Sequence, residues 1–192
     1  MGLGGKPRDD EFEWFTFADV ADPAPVPSAS GAAERWLEEN PPWEPQVAER
    51  LLLVDLDNLR ADAPRLAARM ELVRAIARTA DRVVLAGQAG SVARSLPWLG
   101  DLGPNVLTVG EGPDAADFAL LDAALPPRRR RGSAPMPRQF AVASNDGIFA
   151  VLASQGPLTV LSPRLSEASQ RLCAAATRVL DLERYEAHLA AA

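Results

Sequence analysis

The sequence predicts an α/β fold, a three-layer α/β/α domain around a mostly parallel sheet of five or six strands. From residue 50 onward, short apolar runs alternate with stretches of helical periodicity, the order expected of strand–helix–strand units. The first run, LLLV at 51–54, is apolar throughout, as is typical of a strand buried on both faces. The chain has 192 residues, enough for one such domain and some irregular sequence.

The individual elements follow from local patterns. We expect strands at 50–56, 82–87, 105–110, 139–144, 157–162 and 178–182, the last at an edge of the sheet. Helices are predicted between them at 64–79, 91–96, 114–125, 145–154 and 166–176. In the first of these helices Leu66, Met70 and Val73 share one face, and Pro64 suits the first turn. Asp114 stands where it can cap the third.

The two ends of the chain are predicted to lie outside the domain, which spans 50–182. Residues 1–46 are predicted to be a flexible, acidic, proline-rich arm with a short helix around 32–39, and residues 183–192 a tail. Residues 1–50 carry 11 acidic and 4 basic side chains, whereas residues 51–192 carry 15 and 16. Within the arm, DDEFEWFTFADV mixes aromatic and acidic residues. We expect this segment to dock on a protein partner or to fold back on the domain.

Composition excludes several kinds of site. The single cysteine, Cys173, has no partner for an intramolecular disulfide, and it cannot form a Cys-rich zinc site. The single histidine, His188, lies in the predicted tail and is expected to be solvated. No apolar run approaches the roughly 20 residues that span a bilayer, and the N-terminus lacks the apolar stretch of a signal peptide. We therefore expect a cytoplasmic protein without membrane contact, whose chemistry rests on carboxylates.

Acidic residues follow several of the predicted strands. Asp55 and Asp57 come at the end of the first strand, Asp146 directly after the fourth, and Asp117 in the first turns of the helix after the third. Because ligands of such sheets bind at the carboxyl ends of the strands, these groups are expected to form one acidic pocket. Clustered carboxylates repel one another unless a cation neutralises them, and Mg²⁺ or Mn²⁺ prefers oxygen ligands.

The surrounding motifs resemble those of the PIN-like ribonucleases, particularly the NYN-domain branch. LLLVDLDNL resembles the opening strand of that family, where an Asp ends the strand and an Asn follows three residues later, as Asp55 and Asn58 do. GPDAADFALL resembles the middle motif, in which an Asp such as Asp117 opens a helix. VASNDGIFAVL resembles the late Ser-x-Asp-x-x-Phe motif, with Ser144 and Asp146 in register. The resemblance covers residues 50–182.

This resemblance implies a PIN-like fold and a metal-dependent ribonuclease that binds RNA. Asp55, Asp117 and Asp146 would be the catalytic, metal-binding residues for one or two Mg²⁺ or Mn²⁺ ions, which activate water for attack on the phosphodiester. Asn58 and Ser144 would orient these ligands or the substrate phosphate.

One feature departs from the family pattern. Many relatives carry a further acid just after the first Asp of the late motif, but Gly147, Ile148 and Ala150 cannot bind a metal. Asp57 or Asp114 could take its place or support the other ligands. The alternative is a catalytically weak PIN-like module that binds RNA or a protein.

The DLDNL string also resembles the opening motif of haloacid-dehalogenase-like phosphatases. There the first Asp is the nucleophile and the second the general acid, roles that would fall to Asp55 and Asp57. That family has a Thr where this chain has Leu59. It also has a late Lys or Arg, usually a Lys, to hold the phosphate, whereas the one lysine here is Lys6. The phosphatase is therefore the lesser alternative.

A run of arginines is the strongest basic feature. Arg128, Arg129, Arg130 and Arg131 lie in a predicted loop before the fourth strand, with Arg138 nearby. Such a loop would give sequence-independent affinity for phosphate that weakens with salt, or it is simply a solvated loop of an arginine-rich chain. Because this loop precedes a strand, it begins at the amino-terminal edge of the sheet, whereas the acidic pocket is expected at the carboxyl-terminal edge.

Overall fold

The computed structural model describes residues 31–125 and 136–191. One parallel sheet has the strands β1 (Glu49–Asp55), β2 (Arg82–Gln88), β3 (Val106–Val109), β4 (Arg138–Ala143), β5 (Leu158–Ser162) and β6 (Arg178–Asp181). The α-helices are α1 (Ala32–Glu39), α2 (Ala63–Ala77), α3 (Ala89–Leu99), α4 (Ala115–Ala124), α5 (Gln170–Ala175) and α6 (Leu182–Ala190). Short 3-10 helices lie at Gly100–Asn105, Gly147–Ser154 and Leu165–Glu167.

The predicted three-layer architecture is confirmed, and the sheet is parallel throughout. Its strand order is β3-β2-β1-β4-β5-β6, and every neighbouring pair is parallel. Alternate residues of β1 enter opposite cores, because side chains of a strand alternate between faces. Leu52 and Val54 join the core under α1, α2, α3 and α6. Leu51 and Leu53 join the core under α4, α5 and the 3-10 helix at Gly147–Ser154.

The end of the predicted arm belongs to the folded domain, contrary to the expectation for residues up to 46. Helix α1 occupies the predicted positions, but it is packed: Trp36 and Trp43 are only 5% and 8% exposed. The Trp43 indole donates a hydrogen bond to Thr79 Oγ1 over 2.8 Å, and the Trp36 ring meets Tyr185 edge-on. The proline and acidic content of this segment predicted a flexible arm, but its two tryptophans are part of the core beneath α1 and α2. Residues 1–30, with the acidic–aromatic segment, lie outside the described residues.

The predicted tail is also different in the structure. Residues 182–190 form α6, whose start is capped by the Asp181 carboxylate, which accepts a hydrogen bond from Glu183 N–H. Tyr185 is fully buried beneath this helix. His188, by contrast, is exposed as expected. The burial of the Tyr185 ring thus holds residues 182–190 against the domain, although their position near the chain end had predicted a tail.

Two predicted helices differ in type. Residues 147–154 form a 3-10 helix that begins after Asp146, whose carboxylate accepts the Ile148 N–H bond. The helix predicted at 166–176 is divided into a 3-10 turn at Leu165–Glu167 and α5. Within residues 31–125 and 136–191, no helix is both long and apolar enough to cross a membrane.

Candidate metal centre

The sheet topology creates a crevice between β1 and β4. The two strands are neighbours, but the chain winds outward from β1 through β2 and β3 and from β4 through β5 and β6. Their loops therefore leave in opposite directions and open a gap at the carboxyl edge, where ligands of such sheets bind. Asp55 ends β1 and Asp146 follows β4. The turn from β1 to α2, residues 56–62, contains no glycine, unlike the glycine-rich turn that binds dinucleotides.

Helix α4 brings two further aspartates to this crevice. The cavity of about 200 Å³ that results is lined by Asp55, Asp57, Asn58, Arg60, Gln88, Gly112, Pro113, Asp114, Ala115, Ala116, Asp117 and Asp146. One oxygen from each of Asp114, Asp117 and Asp146 lies within 4.8 Å of the others. Carboxylates at this separation are suited to share one divalent cation. Asp55 lines the same cavity but is not a member of that group.

Asp117 is the most perturbed carboxyl group of the site. It is 6% exposed, and its Oδ1 atom is buried without a hydrogen-bond partner. Burial, together with the nearby charges of Asp55, Asp146 and Asp114 and a hydrogen bond with Asp55, raises the pKa of Asp117 from 3.8 to about 7. A buried, unpartnered oxygen is costly unless something binds it, and this one belongs to a residue that lines the cavity.

Asp114 has an unusual backbone. Its φ of 58° is left-handed, and no other non-glycine residue among those described has a positive φ. It holds the capping position of α4, as predicted, but its side chain makes no capping hydrogen bond. The carboxylate instead contributes to the group with Asp117 and Asp146.

Asp55 is held by hydrogen bonds on both oxygens. Oδ1 accepts from the backbone N–H groups of Asp57 at 3.0 Å and Asn58 at 3.2 Å. Oδ2 accepts from the Asn58 amide and from Ser144 Oγ, the latter at 3.0 Å. Burial raises the pKa of Asp55, while the bonds from Asn58 and Ser144 act in the opposite direction. The predicted supporting residues Asn58 and Ser144 therefore both contact Asp55.

Ser144 also connects the two central strands at the site. Its Oγ donates to Asp55 Oδ2 and accepts from the Asp146 N–H at 3.1 Å. Asp146 uses Oδ1 to accept the Ile148 N–H bond at 2.8 Å. These bonds set the distance between the end of β1 and the turn after β4.

Asp57 lines the cavity but is engaged elsewhere. Its Oδ2 accepts from the Gln88 N–H at 3.1 Å, and its Oδ1 lies 3.3 Å from Arg60 Nη2. Sequence reasoning did not select Arg60, although it follows Asn58 by two residues. Among the described residues that line this cavity, Arg60 is the one with a positive charge. It also lines an adjoining polar cleft with Asn145 and Arg164.

Of the arginines predicted to form a basic feature, the structure describes only Arg138. Arg128–Arg131 lie outside the described residues. Arg138 is buried, pairs with Glu49 over 2.8 Å and donates to the Ala124 carbonyl. Its role is thus to join β4 to β1 and α4.

Comparison with known proteins adds no family to this picture. No protein-family model matches the chain, and no curated protein matches it either. The site must therefore be interpreted from its own geometry.

Proposed function

We propose that the chain is a metal-dependent ribonuclease that hydrolyses phosphodiester bonds at the cavity between β1 and β4. One observation carries the proposal: three carboxylates offer oxygens within 4.8 Å of one another, and the buried Asp117 Oδ1 at the same place has no protein partner. The cytoplasm is the proposed compartment.

The donor set fits a divalent cation of the magnesium or manganese type. Asp114, Asp117 and Asp146 provide only oxygen ligands, as these ions prefer, and the cavity leaves room for the waters that they keep. A cation bound there would supply Lewis acidity, activating a water and stabilising charge on the phosphoryl oxygens. Burial and the neighbouring carboxylates raise the pKa of Asp117, and a bound cation would act in the opposite direction.

The remaining residues have roles that follow from their contacts. Asp55 adds a buried negative charge and is fixed by Asn58 and Ser144. Arg60, exposed at the rim, is placed to neutralise the phosphate of an incoming strand. Hydrolysis adds the hydroxyl group of a water molecule to phosphorus and breaks one phosphorus–oxygen ester bond. The other proton of that water goes to the departing oxygen.

RNA as the substrate is supported by the resemblance of the three motifs and by the open polar surface beside the cavity. The cleft next to Arg60 is lined by polar and charged groups, including Asn145 and Arg164. A nucleic-acid backbone suits such a surface better than an apolar ligand does, because phosphate contacts dominate its affinity.

Two other functions were suggested by the sequence. A catalytically weak module that binds RNA or a protein is favoured by the hydrogen bonds that occupy both Asp55 oxygens. The same bonds count against a phosphatase, since an Asp55 nucleophile needs a free oxygen. Asp57, engaged by Gln88 and Arg60, is likewise poorly free to act as general acid.

Cleavage of single-stranded RNA with Mn²⁺ tests the proposal. We expect cleavage by the full chain, and a loss of at least about 100-fold in kcat for Asp146→Asn. Asp122→Asn is the matched control, because Asp122 lies exposed on α4, outside the cavity. Absence of cleavage with both Mg²⁺ and Mn²⁺, or cleavage that Asp146→Asn leaves unchanged, would refute the ribonuclease. Binding of RNA without cleavage would instead support the weak module.

A further inference from the structure

The structure distinguishes two kinds of aspartate at the cavity, those with free oxygens and those already satisfied by the protein. We propose that the cation is bound by Asp114, Asp117 and Asp146, and that Asp55 supports them through its charge and hydrogen bonds without binding the cation. This ligand set rests on the metal site of the proposed function. It differs from the sequence-based expectation, in which Asp55 binds the metal and Asp114 is at most a supporting or replacement residue.

The first argument concerns the free carboxylate of Asp114. An aspartate at a helix start ordinarily accepts a hydrogen bond from the N–H group two or three residues on. Asp62 and Asp181 do so at the starts of α2 and α6. Asp114, at the start of α4, does not. Its carboxylate instead has an oxygen within 4.8 Å of oxygens of Asp117 and Asp146. The helix start therefore lacks a capping hydrogen bond, and the Asp114 carboxylate is available to a cation.

The second argument concerns the burial of Asp117 and not its distance from the other carboxylates. More than nine-tenths of this residue is buried, yet its Oδ1 has no hydrogen-bond partner. A buried oxygen of this kind destabilises the folded chain unless something satisfies it. A cation shared with Asp114 and Asp146 would satisfy it.

The third argument concerns the capacity of Asp55. An ionised carboxylate offers about four lone-pair positions, and four protein donors already occupy those of Asp55. Binding a cation through Asp55 would break at least one of these bonds, in a residue that is 1% exposed. Binding through Asp114 breaks none.

The test measures the binding of Mn²⁺ to the full, metal-free chain by electron paramagnetic resonance. Asp114→Asn is the informative variant, because asparagine tolerates the left-handed backbone as aspartate does. Only the charge and one oxygen change. Asp57→Asn is the matched control, since it removes an equal charge from the same cavity wall and keeps an oxygen for the Gln88 N–H bond.

We expect Asp114→Asn to raise the Kd for Mn²⁺ by at least about 10-fold and Asp57→Asn by less than about 3-fold. Far-ultraviolet circular dichroism of both variants should match that of the original chain. Equal effects of the two variants, no effect of Asp114→Asn, or no Mn²⁺ binding by the original chain would each overturn the ligand set.

Parallel RNA cleavage separates this inference from the proposed function. Binding of Mn²⁺ that depends on Asp114, without any cleavage of RNA, keeps the ligand set and refutes the ribonuclease. Cleavage that depends on Asp146, with Mn²⁺ binding indifferent to Asp114→Asn, keeps the ribonuclease and refutes the ligand set.

Discussion

Replacing Asp117 with asparagine should stabilise the metal-free protein at alkaline pH and have little effect at acidic pH. Burial and the neighbouring carboxylates raise the pKa of Asp117 to about 7 in the folded protein. In the unfolded chain the pKa of this group is close to its ordinary value of 3.8. Between those values the folded protein holds a proton that the unfolded chain has released. The free energy of unfolding therefore falls as the pH rises toward 7.

The magnitude follows from the size of the pKa shift. A rise from 3.8 to about 7 corresponds to at most about 4 kcal/mol. About 3 kcal/mol of this is lost between pH 5 and pH 8.5, since the unfolded side chain is already ionised at pH 5. Asparagine has the shape of the acid but no charge to bury, so Asp117→Asn should lack this loss.

Urea unfolding in a chelating buffer at pH 5.0 and pH 8.5 measures the effect. The original chain and the Asp122→Asn control should lose stability between the two conditions by about 3 kcal/mol more than Asp117→Asn does. In the same buffer without the chelator, added Mn²⁺ should stabilise the original chain at pH 8.5 and leave Asp117→Asn nearly unchanged. If the original chain and Asp117→Asn show the same difference between the two conditions, the electrostatic account of the cavity is wrong.

Other substitutions test the fold and the rim of the site. Trp43→Phe removes the hydrogen bond to Thr79 Oγ1 and should cost about 1 kcal/mol in urea unfolding; an unchanged midpoint would argue against the packing of this segment. Gly156→Ala would press a new Cβ against a carbonyl of β4 and should cost about 1–3 kcal/mol, whereas Gly90→Ala, which meets open space, should be neutral or stabilising. Arg60→Ala should raise KM for RNA several-fold with a smaller change in kcat and lower the salt dependence of binding; an effect confined to kcat would contradict a role in phosphate binding.

Much of the fold was predictable because its signals are local in sequence. The apolar run at 51–54 predicted a buried strand, and the alternation of six short strand-like stretches with helical ones predicted the sheet. The two segments at the ends of the domain were predicted worst. Trp36, Trp43 and Tyr185 lie in short stretches rich in polar residues, and only the core that they enter shows that those stretches are ordered.

The sequence predicted where the aspartates lie on the sheet, but it did not predict which groups they contact. Asp55 and Asp146 could be placed because each follows a strand, and Asp117 because its helix starts at the same edge. The sequence could not show that the Asp57 carboxylate contacts the Gln88 N–H and Arg60. Gln88 lies on a neighbouring strand, and the contact with Arg60 depends on the direction of its side chain.

The sequence by itself determined the architecture and the edge of the sheet at which its acids gather, since both depend on the period and the ends of apolar runs. The tertiary structure decided which carboxylates remain free. The carboxylate of Asp114, a residue with a left-handed backbone, lies near those of Asp117 and Asp146. Ser144, at the β4 end of the crevice, instead donates a hydrogen bond to Asp55. The physical reason is that hydrogen-bond saturation depends on groups brought together from distant parts of the chain, and a pattern along the sequence does not record them.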